Sequence, residues 1–452
     1  MTRRKSTRQE STRQQSSHTQ SRRAFLRQSA ALASLATGYG LLGNRATAEE
    51  RSPNEKLNIG VIGTANQARF SLDNLKGENI VALCDIDDLL LGKAGTDFPG
   101  AKTYNDFRKL LEQPDLDAVA ICTPDHIHAP ATVMALRLGK HVYCEKPLTH
   151  TVAEARLVAK EAAKAKRATQ MGTQIHAGDN YRRVVEMIQA GAIGKVAEVH
   201  TWAGAGLGGG DRPTDRPPVP SGLHWDLWLG PAPERPYNPA YVPFKWRGWW
   251  DFGGGSVADL ACHHMDLPFW ALGLRHPTSV AAQGPPVNAE TCPLGLEVRY
   301  EFPARGQQPA VKLTWYSGEG IPKAIHGHTL GGPGNPLGTA GNLFVGDKGM
   351  MFADYGSYRL LPEGDFAGYK PPEPSIPKSI GHHAEWIKAC KEGSPTTCNF
   401  DYAGALTEAV LLANVSYRSG KPLAWDAAEL RATNTADAER FIHKQYRQGW
   451  AI

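Results

Sequence analysis

From Leu57 to Gly63 the chain is apolar except at Asn58, which predicts a buried strand over residues 57–63. A helix-compatible stretch follows to Leu75, and a second apolar run, 80–84, ends at Asp85. Residues 117–122 and 141–144 read as further strands. Helical patterns cover 129–138 and 154–165, and another short strand covers 168–172. Strands alternating with helices predict a parallel sheet with helices on both faces. Beyond about residue 175 the rhythm changes. A helix at 181–190 is followed by strand patterns at 196–202, 279–283, 296–302, 311–316 and 342–345, which predict a largely antiparallel sheet. Gly/Pro-rich stretches at 204–222 and 327–341 read as long loops, and helices at 382–391 and 402–417 close the pattern. The fold class is therefore α/β: a Rossmann-type domain over 54–174, then an α+β domain over 175–452 with closing C-terminal helices.

Composition is that of a globular chain, with 41% hydrophobic and 21% charged residues. The net charge of +5 changes meaning once it is located. Residues 1–48 hold nine Lys/Arg against one acid, whereas the remaining 404 hold 41 bases against 44 acids. The basicity belongs to the leader, so nucleic acid is excluded as the expected partner. In that leader, Arg22-Arg23-Ala24-Phe25-Leu26 precedes a short apolar stretch at 28–43 and Ala46-Thr47-Ala48. A basic region, an apolar segment and a small-x-small site predict an export signal, and the paired arginines resemble the twin-arginine type. Sixteen weakly apolar residues fall short of the roughly 20 needed to span a bilayer. The expectation is a periplasmic protein with no membrane span once residues 1–48 are removed. The seven cysteines are odd in number and show no paired spacing, so they are expected to be structural rather than a disulfide framework.

The first strand turns through Gly63-Thr64-Ala65-Asn66-Gln67-Ala68, in the context of the dinucleotide fingerprint G-x-G-x-x-G/A. Ala65 replaces the second glycine, where a methyl would crowd the pyrophosphate. A purely structural tight turn would give much the same pattern. Asp85 lies 22 residues after Gly63 at a strand end, placed to accept from ribose hydroxyls. Asp87 and Asp88 follow with no Arg to hold a 2′-phosphate, so NAD is expected rather than NADP. A solvated strand-end acid is the other reading of Asp85.

Asp259, His263 and Asp266 are spaced i, i+4, i+7, which on an α-helix gives one face. Such a stripe suits proton transfer from a sugar hydroxyl; a core histidine flanked by surface acids would show the same spacing. The set lacks a recognised metal motif, His264 points elsewhere, and no metal is expected. Lys146 precedes Pro147 at the carboxyl end of a predicted parallel strand, where it would donate to a reacting hydroxyl or remain an ordinary solvated lysine. Five of the eleven tryptophans fall in 225–250, and with Arg247 they would either stack on a sugar or pack on one another. His176, Asn180 and Tyr181, after the domain crossover, are candidates for the substrate face.

Three segments, Cys122-Thr123-Pro124-Asp125-His126-Ile127-His128, Cys144-Glu145-Lys146-Pro147-Leu148 and Gly253-Gly254-Gly255-Ser256-Val257-Ala258-Asp259 with His263 and Asp266 beyond, together resemble the glucose–fructose oxidoreductase/inositol dehydrogenase/MocA family. The resemblance runs from about Leu57 into the C-terminal region and departs from the pattern at Ala65. It implies an NAD-dependent oxidoreductase acting on a CH–OH group of a sugar or polyol. Lys146 would be catalytic, with Asp259 as its partner and His263 as acid/base. By the same resemblance Thr123, Pro124, His126, Glu145 and Gln174 line the nicotinamide side, beside Gly63, Thr64, Ala65, Asn66 and Asp85 in the nucleotide loop, and the Lys146–Pro147 bond is cis. Substrate contacts are expected from His176, Tyr181, Arg247, Asp259 and His263, and a homo-oligomer through the C-terminal sheet. Two other readings share these residues: an NAD-dependent, redox-neutral glycoside hydrolase, and a non-catalytic sugar-binding protein.

Overall fold

The computed structural model describes residues 55–452 apart from 205 and 330–336; the leader and its predicted export signal lie outside the described residues. Strands β1 (Asn58–Ile62), β2 (Asn79–Cys84), β3 (Lys102–Tyr104), β4 (Ala118–Ile121), β5 (His141–Glu145) and β6 (Thr169–Gly172) form one sheet in the order β3-β2-β1-β4-β5-β6. Every pairing in it is parallel. Helices α1 (Gln67–Leu75), α2 (Asp88–Asp97), α3 (Phe107–Leu111), α4 (Asp125–Arg137) and α5 (Val152–Ala165) make the crossovers. β4 is buried at all four positions, as a strand covered on both faces must be.

Local signals explain several boundaries. Thr151 and Glu154 form a capping box, so α5 begins two residues before the apolar pattern suggests. α4 begins at Asp125 rather than 129, because Pro124 caps it in extended geometry and a polar first turn hides the start. Pro130 inside α4 cannot bond the His126 carbonyl, and Lys444 Nζ lies 3.4 Å from that oxygen instead. The sequence pattern missed α2, β3 and α3, which are short or capped by acids rather than strongly periodic.

After α6 (Asp179–Gln189) come β7 (Val196–Ala203), α7 (Asp266–Leu272), β8 (Ser279–Gln283), β9 (Glu297–Phe302), β10 (Val311–Ser317) and a hairpin of β11 (Ala324–Ile325) and β12 (His328–Thr329). Then follow β13 (Ala340–Gly346), β14 (Gly349–Ala353), β15 (Tyr358–Leu361), α8 (His382–Glu392), α9 (Phe400–Ser419), β16 (Leu423–Asp426) and β17 (Arg431–Ala432). Nine strands make the second sheet, β15-β14-β13-β7-β10-β9-β8-β16-β17. It is antiparallel except where β10 runs parallel to β7. The stretch expected to loop from 327 thus opens with β12, and the other long loop, from 204, reaches back to the first domain, where Asp88 N at the start of α2 donates to Gly222 O.

A single apolar cluster continues from Ile121, Cys144 and Val158 of the first sheet layer through Leu406 and Val410 of α9 to Trp315 of the second sheet. α9 lies along α5, and Arg156 of α5 forms a bidentate pair with the buried Glu408 of α9 at 2.8–3.1 Å. All seven cysteines are free, five of them buried.

Candidate active site

The carboxyl ends of β1, β2, β4 and β5 open onto a cleft of about 860 Å³, closed on its far side by residues of the second domain. This is where an open parallel sheet presents ligand-binding loops. At one end lies the nucleotide loop. Gly63 has φ +87°, and a Cβ there would stand 2.5 Å from the Cys122 carbonyl, so only glycine fits. The next tight point falls at Asn66, with φ 52° and ψ −117°, while Ala68 N donates to Ala65 O. Asn66 is therefore the second positive-φ residue of this turn after Gly63, and Ala65 lines the cleft. Asp85 is already engaged: one carboxylate oxygen accepts from Thr64 N (2.9 Å) and Thr64 Oγ1 (2.8 Å), the other from Asp87 N (3.1 Å). Burial still holds its carboxyl above the ordinary range. Asp87 caps α2, and Asp88 accepts from Asn105 and sits beside His224. Among the described lining residues, the one arginine, Arg247, belongs to the second domain. A glycine-only position at Gly63, a strand-end acid and a cleft of this volume fit a dinucleotide.

At the other end Lys146 follows β5, and its bond to Pro147 is cis. The ring nitrogens of His128 lie 2.7 Å from the Pro147 carbonyl and 2.8 Å from that of Thr123, which ties the two strand-end loops together. Lys146 Nζ donates to the Asp259 backbone oxygen and to its Oδ1, both at 2.7 Å. Arg247 Nε adds a bond to the same Oδ1 at 3.3 Å. Burial alone would raise the Asp259 carboxyl, but Lys146 and Arg247 hold it below the ordinary range. His263 lines the same cleft; burial, then the Lys146 charge, pushes its imidazole well below the ordinary value, so it is neutral at pH 7. Burial lifts Glu145 to about 7, against the pull of Lys146; Gln174 Nε2 donates to it at 2.9 Å. Thr123 and Pro124 complete this wall.

The expected one-face stripe is broken after His263. Residues Val257–Ala261 form a π-helical turn that carries Asp259, and beyond His263 the helix is interrupted again by a turn at Met265, between Cys262–His264 and Asp266–Leu272. Asp259 and His263 remain in the cleft, while Asp266 is fully buried and bonds His176 Nδ1 at 2.9 Å and Tyr402 Oη at 2.8 Å. His176, expected on the substrate face, is buried against Trp270 at 4.0 Å. Tyr181 is likewise buried, its hydroxyl donating to the His263 carbonyl at 3.2 Å, and Asn180 is spent on the carbonyls of Asp354 and Ser357. These residues brace the site from behind. His126 is also corrected. Its ring is fully buried, with Nε2 donating to the Trp228 carbonyl at 2.8 Å, and the preceding Asp125 faces the cleft.

Of the five clustered tryptophans, Trp228 and Trp246 reach the cleft. Trp225 stacks on Trp228 at 4.7 Å, and Trp249 and Trp250 are buried elsewhere. Arg247 lies over Trp246 and Phe244 at 4.3 and 4.4 Å. Sequence reasoning missed Asp125, Phe244, Tyr237 and Trp450. Asp125 was available one residue from the named His126; Trp450, near the end of the chain, carried no local signal.

Family models match both halves of the chain. The one described as the NAD-binding Rossmann fold of the Gfo/Idh/MocA oxidoreductases matches residues 57–173, and the one for their C-terminal alpha/beta domain matches 186–305. Inositol 2-dehydrogenase of Salmonella typhimurium is 33% identical over 147 residues, 31% of this chain and 43% of that protein. The inositol 2-dehydrogenase/D-chiro-inositol 3-dehydrogenase of Lacticaseibacillus casei is 36% identical over 142 residues, 30% and 41% of the two chains. The chain thus matches about two fifths of the length of these curated relatives. Aldose–aldose oxidoreductase from Caulobacter crescentus, complexed with glycerol, superposes with a TM-score of 0.55 at 18% identity over 82% of this chain and 100% of that one. The WlbA dehydrogenase of Bordetella pertussis, in complex with NADH and UDP-GlcNAcA, gives 0.59 at 17% identity over 82% and 99%. At such identities the superpositions show a shared fold.

Proposed function

The chain belongs to the Gfo/Idh/MocA oxidoreductase family, whose two domain models together span just over half of it, and from that premise we propose that it oxidises a CH–OH group of a sugar or polyol with NAD. The observation that carries this reading is the Lys146–Asp259 contact in the cleft. A lysine ammonium has three N–H donors, and Asp259 takes two of them. The third is left for the reacting oxygen, whose developing negative charge it stabilises. His263, neutral at pH 7, accepts the hydroxyl proton. Bound NAD would supply the acceptor for the hydride leaving the carbinol carbon, which becomes a carbonyl. Gly63, Thr64 and Asp85 would hold its adenosine side, and Glu145 and Gln174 would flank its nicotinamide side. Trp228, Trp246 and Arg247 offer aromatic faces and a fork of donors to the substrate. The names of the inositol dehydrogenase relatives support a cyclic polyol, and that of the aldose–aldose oxidoreductase an aldose.

The test is a panel of myo-inositol, aldoses and glycosides offered to the purified chain with NAD or NADP, followed by the absorbance of the reduced cofactor. At least one member reduces NAD, and NADP reacts more slowly because Asp85 meets its 2′-phosphate as a like charge. Release of free sugar from a glycoside with no net cofactor reduction would replace this reading with redox-neutral hydrolysis. The leader supports export to the periplasm by the twin-arginine route, which fractionation of cells expressing the full chain would check. Self-association through the C-terminal sheet belongs to the same proposal; sedimentation showing only monomer would remove it.

A further inference from the structure

Far along the sequence from the catalytic residues, three donor side chains meet on the second sheet. Glu198 and His200 stand two apart on β7, so the strand's period puts them on one face, the face that also carries Trp202. His326 comes from the β11–β12 hairpin, where Ile325 pairs with His328 and a two-residue turn is left between them. Both turn residues have positive φ, 48° at His326 and 79° at Gly327, the geometry of a tight primed turn. Ile325 anchors this hairpin in the apolar cluster of Trp202, Tyr316, Leu343 and Phe352, which seats His326 over β7.

Glu198 Oε1 lies 2.8 Å from His200 Nε2 and 3.3 Å from His326 Nε2, and the three donor atoms all lie within 4.8 Å of one another. The two imidazole planes cross at 68° with centroids 5.3 Å apart, so the rings converge on the carboxylate edge-on rather than stacking. The remaining nitrogen of His200, Nδ1, is 3.0 Å from Tyr316 Oη on the adjacent strand β10. With the proton on Nδ1, Tyr316 accepts it and the Nε2 lone pair faces the gap. That is the outer partner a metal-bound imidazole requires.

We propose that Glu198, His200 and His326 bind one divalent cation of the zinc type. Bond lengths of about 2.0–2.1 Å in a tetrahedral site separate ligand atoms by about 3.3 Å, so small side-chain rotations complete the set. Two imidazoles with one carboxylate select zinc, copper or nickel over magnesium or calcium, which take oxygen. Glu198 and His326 are 41% and 38% exposed at their side chains, which leaves the fourth coordination position open to water. None of the three residues lines the cleft. The ion would clip a hairpin of two-residue strands onto the sheet, where so short a hairpin has little stability of its own.

The untagged full chain, stripped with chelator, is titrated with zinc against a chromophoric competitor and with cobalt(II) by visible absorption. One equivalent binds with the spectrum of a nitrogen/oxygen site, and zinc raises the melting temperature. His326→Ala, at an exposed turn, removes both effects without loss of fold by circular dichroism, and Tyr316→Phe weakens zinc by about 10- to 100-fold. Failure of the wild type to bind a stoichiometric metal overturns the proposal, as does equal binding by His326→Ala. Neither outcome bears on the oxidoreductase reading, which uses none of these residues.

Discussion

Asp125 begins α4 with its side chain in the cleft, and its carboxyl takes charge effects from Lys146, Arg247 and Asp259. Burial, the largest influence, pushes it to about 8 from an ordinary value of 3.8. The folded state therefore holds a proton on this group that the unfolded state has lost, between pH 3.8 and about 8. Its contribution is fully present below the unfolded value and declines as pH rises through that window. Asp125→Asn keeps the shape without the charge. Its melting temperature relative to wild type should climb steadily across the same window, as thermal melts in matched buffers would record. A difference that stays flat with pH would show that the carboxyl is not buried as described. At this scale the sequence displayed Lys146, Asp259, His263 and Gly63, each in a motif with its own physical reason, and offered Arg247 only as a neighbour of the clustered tryptophans. It hid Asp125 behind His126, since the proline-containing first turns of α4 gave no helical phase to say which residue faces out. His176 and Tyr181 were misplaced for a related reason. A polar residue near a crossover looks like a substrate contact until its buried partner, here Asp266 or the His263 carbonyl, is known.

The elements most legible in the chain were the buried parallel strands, whose continuous apolar runs admit few alternatives. Short pieces such as β3 and β14 to β17 escaped because two to five residues carry too little period. The π-helical turn at Val257–Ala261 was also invisible, because its sequence reads as ordinary helix. At Gly253 an added Cβ would stand 2.8 Å from the Arg247 backbone, so the loop must run against the segment that carries Arg247. The pairing of α5 with α9 belongs to this scale too. Glu408 is 1% exposed and shared by Arg156, His276 (2.9 Å) and Trp425 (3.2 Å). Arg156→Met leaves this carboxylate with weaker partners, and urea unfolding should show a loss of about 3 kcal/mol. A loss well under 1 kcal/mol would mean that the helices are held by apolar packing alone.

For the whole molecule, the division into a parallel-sheet domain and a largely antiparallel one followed from the change of rhythm near residue 175. The closing of the cleft by Phe244, Trp246 and Trp450 could not be read, because it depends on segments hundreds of residues apart meeting in space. Export of a folded chain, if the leader acts as proposed, has a consequence for the cofactor. Outside the cytosol no nicotinamide pool is expected to replace a lost molecule, so NAD should be retained. Denaturing the mature protein purified without added nucleotide should release nearly one NAD per chain; an empty protein would argue against export or against a closed redox cycle. The central claim is that Lys146, held by Asp259, stabilises the reacting oxygen rather than the nucleotide. Its most direct test compares wild type and Lys146→Met, each saturated with NAD, in a single turnover with a substrate found in the panel. The account predicts unchanged NAD affinity and a rate lower by at least about 100-fold. Reduction of the cofactor by Lys146→Met at the wild-type rate would contradict it.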